Sequence, residues 1–109
     1  MVIDLKNMEY ETIPNFLGGD KEVYRKLQNT DNGRIMYIKI PSGASIGMHT
    51  HETNSETVYI LKGTATAIEE TGTTELTPGM SHYCPKGCAH SIRNNGAEDM
   101  EMFAVVESH

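Results

Sequence analysis

Short segments in which apolar and polar residues alternate follow one another from Val23 onward, separated by Gly, Asn and Pro at close intervals. Such alternation is typical of half-buried β-strands, and the spacing of an amphipathic helix is hard to find. The pattern predicts strands over residues 34–40, 57–62, 64–70, 73–77, 81–84, 89–93 and 99–107. Thr71-Gly72 predicts a tight hairpin, and Asn95-Gly96 predicts another between the last two strands. We therefore predict an all-β sandwich or barrel, in which only the stretch before Val23 lacks an assignment.

The composition restricts the classes of partner. The chain has 109 residues with 9 Lys+Arg and 15 Asp+Glu, a formal net charge of −6, and no run of basic residues. This balance argues against nucleic acid or an anionic membrane as a partner, and no apolar run approaches the ~20 residues of a transmembrane helix. Asp4 lies where a secretory signal would be apolar, so we expect a cytoplasmic protein. The length of the chain predicts a single domain over residues 1–109. Cys84 and Cys88 are expected to be free thiols.

Three histidines and one glutamate fall at strand positions from which their side chains could meet. His49 and His51 are separated by one residue, so in an extended chain both point to the same face with Cα atoms roughly 6.5 Å apart. Along their strands, Glu56 lies two residues before the apolar Val58, and His90 lies two residues before the apolar Ile92. Both should therefore face the core together with these apolar neighbours. Imidazole and carboxylate groups together suit Fe, Mn, Zn, Ni, Co or Cu, whereas Mg and Ca prefer oxygen ligands alone. Four such ligands on an ion that accepts about six would leave positions for water or a substrate.

Two stretches of the chain resemble the two sequence motifs of the cupin family. The first consists of Gly43, then His49 after five residues, His51 after one, Glu56 after four and Gly63 after six. The second consists of Gly79, then Pro85 after five residues, Gly87 after one, His90 after two and Asn94 after three. All ten identities of the two motifs are present, and the resemblance covers residues 43–94 directly.

The resemblance to cupins implies a fold, a cofactor and an assembly. It implies a double-stranded β-helix, or jelly-roll barrel, and frequent homodimers. It also implies that a divalent metal is coordinated by His49, His51, Glu56 and His90. The spacer between the two motifs is short, which resembles a compact single-domain member of the family.

The other chemically versatile side chains are interpreted as structural or surface residues. His82 lies outside the ligand pattern, and we expect a structural or surface role rather than one in supporting a metal ligand or in acid–base chemistry. Methionines are expected to fill the core and a largely apolar pocket, at Met36, Met48, Met80, Met100 and Met102. Packing or solvated roles are expected for Tyr37, Tyr59, Tyr83, Glu69, Glu70, Lys86 and Arg93.

The function that these observations favour is that of a metal-dependent enzyme acting on a small oxygenated or carboxylated metabolite. The metabolite would chelate the metal, and dioxygenase, isomerase, decarboxylase and lyase chemistry all remain open. No side chain outside the ligand set stands at a position diagnostic of a catalytic base. The alternative is a non-catalytic module that binds or senses a small molecule.

Overall fold

The computed structural model describes residues 1–109 and consists almost entirely of β-strands. The strands are β1 (Glu11–Pro14), β2 (Glu22–Thr30), β3 (Gly33–Ile40), β4 (Ser45–Thr50), β5 (Asn54–Lys62), β6 (Ala65–Glu69), β7 (Gly72–Leu76), β8 (Ser81–Cys84), β9 (Ala89–Arg93) and β10 (Met100–Ser108). The helical segments are two single 3-10 turns, Leu5–Asn7 and Phe16–Gly18. No helix has the length and apolar character needed to cross a membrane.

The ten strands form two antiparallel sheets that enclose one core. The six-stranded sheet has the order β1-β2-β3-β10-β5-β8, and the four-stranded sheet has the order β4-β9-β6-β7. The predicted all-β fold is therefore confirmed. Strands β8 and β9 have the predicted bounds, and the predicted hairpin at Thr71-Gly72 joins β6 to β7.

Alternation along β3 and β10 builds the centre of the core. Every second side chain of these paired strands is buried, at Met36, Ile38, Ile40, Met100, Met102, Ala104 and Val106. The methionines among them fill the core, as expected. Met48 and Met80 do not, since they are 52% and 46% exposed. A bulge in β4 between Ile46 and His49 leaves Met48 outside, and Met80 lies in the turn before β8.

The prediction of a hairpin at Asn95-Gly96 is wrong. β9 belongs to the four-stranded sheet and β10 to the six-stranded sheet, so residues 94–99 cross from one sheet to the other. The buried Asn94 side chain holds this crossing, because its amide donates hydrogen bonds to the carbonyls of Ile40 and Glu98, both at 2.8 Å. Its Oδ1 accepts a hydrogen bond from the Gly96 N–H at 2.9 Å. Asn side chains often bond to the backbone two residues further on in turns, and here the same contact shapes the segment that joins the two sheets.

The N-terminal stretch, which sequence patterning left unassigned, contributes β1 and a turn that packs on β4. Asn15, Leu17 and Lys21 adopt left-handed backbone conformations with φ of 49°, 52° and 59°. The turn approaches β4 so closely that a Cβ on Gly47 would lie 2.1 Å from the Leu17 carbonyl oxygen. Glycine at position 47 thus allows this turn to lie against β4, next to the site described below.

Candidate metal centre

Side chains from both sheets converge at one place in the interior. We call these four side chains, His49, His51, Glu56 and His90, the His/Glu cluster. β4 and β9 pair so that His49 lies opposite His90, while β5 of the facing sheet supplies Glu56. His51 follows β4 and is held by backbone hydrogen bonds to Gly87 and Cys88. The structure therefore brings together all four residues proposed from the sequence as ligands.

The spacing of the donor atoms suits a single cation. His90 Nε2 lies 3.0 Å from His51 Nε2, 3.1 Å from His49 Nε2 and 3.0 Å from Glu56 Oε1. One ring nitrogen has a single proton or lone pair in its plane and cannot hydrogen-bond in three directions. Ligands bound at about 2.1 Å on adjacent corners of an octahedron stand about 3.0 Å apart, so the observed spacing matches the edges of a metal's coordination shell.

Hydrogen bonds on the far side of the imidazoles leave Nε2 free to bind a metal. His49 Nδ1 donates to the Gly47 carbonyl at 2.7 Å, and His51 Nδ1 donates to Asn54 Oδ1 at 2.6 Å. Since a carbonyl oxygen only accepts, the proton lies on Nδ1 and the Nε2 lone pair points into the cluster. Both rings therefore have the tautomer that coordination through Nε2 requires.

The charges within the cluster are strongly coupled. Burial by itself would raise the pKa of Glu56, but in the metal-free protein His51 and His90 outweigh it when their Nε2 atoms carry protons, and they hold the pKa at about 2. The hydrogen bond to Glu56 raises the pKa of His51, whereas desolvation lowers the pKa of His49. The cluster therefore offers a permanent carboxylate and an uncharged imidazole at His49, and it retains a proton on His51 to higher pH.

We expect metal affinity to fall as the pH decreases, with His51 responding first. A metal must displace the proton on His51, and the raised pKa of His51 means that this competition begins above pH 6.5. Below that pH the affinity should fall about tenfold per pH unit for each proton displaced, down to about pH 5. Competition titrations with a chromophoric chelator between pH 5 and 8 measure this slope. An affinity that stays constant over this range would contradict ligation by histidine.

The space beside the cluster is a narrow cavity of about 40 Å³ between the two sheets. Its other lining residues are Phe16, Leu17, Arg25, Arg34, Met36, Ile38 and Ile46. Arg25 is paired with Glu11 at 2.6 Å, whereas Arg34 takes part in no ion pair. The positive charge of Arg34 reaches the site, where it acts to lower the pKa of His51. The cavity is thus less apolar than predicted, because 5 of its 10 lining residues are hydrophobic and the others are charged residues or histidines.

Sequence reasoning missed Arg34, although the signal was present. Arg34 shares the parity of Met36 and Ile38, which places its side chain on the inward face of β3. Arg93, for which a solvated role was expected, pairs with Asp20. Lys86 is exposed, as expected.

The contact of His82 with Glu69 and His90 was not expected from the sequence, although the burial of His82 agrees with a structural role. His82 is buried, and its Nε2 lies 3.0 Å from His90 Nδ1. Glu69, expected to be fully solvated, has Oε1 at 3.2 Å from His82 Nδ1. The sequence did contain a signal for the burial of His82. His82 lies two residues before Cys84 in β8, so both side chains face inward. Burial and the nearby Cys88 raise the pKa of Cys84 to about 11, so Cys84 remains a thiol.

Three tyrosines and a wider surface groove lie away from the cluster. Tyr37 donates a hydrogen bond to Glu101 at 2.8 Å, while Tyr59 and Tyr83 are largely exposed, which agrees with packing and surface roles. A groove of about 360 Å³ is lined by residues near Glu69 and Cys88. None of the four cluster residues lines it, so we place the chemistry in the narrower cavity.

Comparison with known proteins identifies similar sequences over most of the chain. The family model described as "Cupin domain" matches residues 36–106. A protein of Thermotoga maritima named "Oxalate-binding protein" is 30% identical over 112 residues, which cover 97% of this chain and 93% of that protein.

Solved structures show the same architecture. A Thermotoga maritima protein described as a predicted oxalate decarboxylase superposes with a TM-score of 0.94 at 30% identity, covering 100% of both chains. KdgF from Halomonas sp. superposes with a TM-score of 0.77 at 16% identity, over 95% of this chain and 92% of that one. The second likeness concerns the fold alone.

Proposed function

Because the chain belongs to the cupin family and has the double-stranded β-helix of that family, we propose that it is a metal-dependent binding protein for a small carboxylate. The His/Glu cluster would hold one divalent transition metal, among Fe, Mn, Zn, Ni, Co and Cu. When bound, such an ion supplies positive charge and coordination positions that attract carboxylate oxygens. The observation that carries the proposal is the convergence of three Nε2 atoms and one carboxylate beside the unpaired Arg34.

The chain's own residues restrict the ligand by size and charge. The cavity beside the cluster has a volume of only about 40 Å³, so the ligand must be small. Arg34 can donate two parallel hydrogen bonds to a carboxylate, and the apolar side chains Met36 and Ile38 exclude water around it. A two-carbon dicarboxylate fits both requirements. The relative named as an oxalate-binding protein supports oxalate as the first ligand to test.

Calorimetric titration of oxalate into the metal-loaded and metal-free protein tests this proposal. Metals bound after purification should first be identified by mass spectrometry, and we expect about one ion per chain. Oxalate should bind the metal-loaded protein and not the metal-free protein, with the metal content unchanged after the titration, because oxalate itself can extract metals. Equal binding to both forms would contradict the proposal.

Catalysis is the second candidate function, supported by the relative described as a predicted oxalate decarboxylase. Decarboxylation of oxalate releases CO2 and leaves formate, whose carbon must receive a proton. The titratable side chains that line the cavity are those of three cluster residues, His49, His51 and Glu56, and of two arginines, Arg25 and Arg34. The three cluster residues would be bound to the metal, and an arginine does not give up its proton near neutral pH, so none of them is suited to donate that proton. We therefore favour binding over turnover. Stoichiometric formation of formate and CO2 from oxalate would reverse this preference.

We also infer that two copies of the chain form a homodimer, in which each copy consists of one cupin domain over residues 1–109. Tyr59, Leu61 and Tyr83 are large exposed apolar residues on neighbouring strands β5 and β8 at one edge of the six-stranded sheet. Such a surface favours association with a second copy. Light scattering should give twice the monomer mass for the wild type and the monomer mass for Leu61→Glu.

The cytoplasm is the proposed location of the protein. Cys84 and Cys88 are both free thiols, as expected, and free thiols are typical of proteins in a reducing compartment. Fractionation of cells that produce the full chain tests this location.

A further inference from the structure

We propose that Glu69 and His82 are positioning residues that hold the His90 imidazole in the tautomer needed to bind a metal. This inference rests on the proposed function, because it concerns how one ligand of that site is prepared. His49 and His51 each donate from Nδ1 to an oxygen that can only accept. His90 lacks such an oxygen, because its Nδ1 faces another imidazole.

The contacts form a line from the surface to the cluster. Glu69, at the end of β6, has Oε1 at 3.2 Å from His82 Nδ1, and His82 Nε2 lies 3.0 Å from His90 Nδ1. The two rings are inclined by only 20°, which allows the N–H of one ring to meet the lone pair of the other. The side chain of Glu69 is 42% exposed, whereas those of His82 and His90 are 7% and 0% exposed.

The charge of Glu69 determines where the protons lie along this line. A carboxylate favours the N–H on the nearer nitrogen of His82, because a lone pair at Nδ1 would face a negative charge. His82 Nε2 then has a lone pair and accepts the proton of His90 Nδ1–H. The lone pair of His90 Nε2 is then available to a metal, whose positive charge outweighs the preference of the Glu56 carboxylate, 3.0 Å away, for an N–H at this atom.

Without the carboxylate the opposite arrangement becomes accessible. His82 can then carry its proton on Nε2 and donate it to His90 Nδ1. His90 would be left with its proton on Nε2, the atom that lies 3.0 Å from Glu56 Oε1 and must coordinate the metal. A metal would have to reverse both tautomers before it could bind, and this cost weakens the affinity.

Glu69 can be altered with little risk to the fold, since its side chain is partly exposed and its other hydrogen bond is a long contact from Thr71 at 3.4 Å. Glu69→Gln removes the charge and places an amide at the same position. Glu70→Gln is the matched control, because Glu70 is the exposed next residue and takes part in no ion pair. Glu69→Asp retains the charge and serves as the conservative variant.

The first measurement is the Zn²⁺ affinity of the full chain by competition with a chromophoric chelator. Loss of an outer partner of a metal-bound histidine costs 10- to 100-fold in affinity, and we expect about a tenfold loss for Glu69→Gln. Glu70→Gln should remain within about twofold of the wild type, and Glu69→Asp should recover part of the loss. Equal affinities of Glu69→Gln and Glu70→Gln would overturn the inference.

The second measurement is a long-range ¹H–¹⁵N correlation spectrum of the Zn²⁺-loaded protein, which reports the tautomer of each imidazole. We expect His82 and His90 both to carry the proton on Nδ1 in the wild type. A proton on His82 Nε2 would overturn the inference even if the affinities behaved as expected. A wild-type protein that binds no transition metal would overturn the proposed function as well, whereas a wild type that binds Zn²⁺ with the wrong tautomers would overturn only the role of Glu69 and His82.

Discussion

Substituting His51 by alanine is expected to weaken metal binding by at least about 100-fold, since even residues behind a metal ligand contribute 10- to 100-fold. The variant loses one of the three imidazoles whose Nε2 atoms converge, and it leaves His90 as the only imidazole with a ring nitrogen within 4 Å of the Glu56 carboxylate. A 100-fold loss in affinity removes about 2.7 kcal/mol of metal-dependent stability when the metal is in excess. For a chain of this size that corresponds to a decrease of about 10 °C in the Tm of the metal-loaded protein.

The metal dependence of this decrease separates loss of a ligand from damage to the fold. The Tm of wild type and His51→Ala should differ much less after chelation than in the presence of metal. His109→Ala makes the same chemical change at an exposed histidine outside the cluster and should retain both the metal content and the metal-dependent Tm. Unchanged metal stoichiometry in His51→Ala, measured by mass spectrometry after gel filtration, would refute the assignment of His51 as a ligand.

The cluster could be predicted from the sequence because its residues occur at fixed spacings within two short motifs. His49 and His51 share a strand face through the spacing of two residues, and this much follows from backbone geometry alone. That His90 meets them depends on the pairing of β4 with β9, which joins positions 41 residues apart. No local signal contains that register, and the resemblance to cupin motifs supplied it.

The parts that sequence reasoning missed depend on the packing of strands that are distant in the chain. Arg34 has the parity of a core residue, but a charged residue at the end of a strand is usually solvated. Its position in the wall of the cavity beside the cluster becomes evident only when β3 and the 3-10 turn Phe16–Gly18 are placed. Asn95-Gly96 shows the same limit, because its turn chemistry is correct locally and the two strands it joins belong to different sheets.

Replacing Arg34 by methionine should weaken oxalate binding to the metal-loaded protein by about 10- to 100-fold, the cost of losing a charge-assisted hydrogen bond to a carboxylate. Methionine keeps much of the apolar volume that faces Met36 and removes the only cavity-lining positive charge without a salt-bridge partner. A monocarboxylate such as acetate cannot engage both the metal and Arg34 with separate carboxylates, so its affinity should fall less than that of oxalate.

Metal affinity provides the internal control for this variant, because its expected change has the opposite sign. The positive charge of Arg34 opposes a second cation in the cluster and lowers the pKa of His51, so Arg34→Met should bind the metal at least as tightly as the wild type. Lys86→Met removes an equal charge from an exposed position that does not line the cavity and should leave both affinities unchanged. Calorimetry measures the affinities for oxalate and acetate, and competition with a chelator measures the affinity for the metal. A parallel loss of metal and oxalate affinity would indicate that Arg34 supports the structure of the site and does not recognise the ligand.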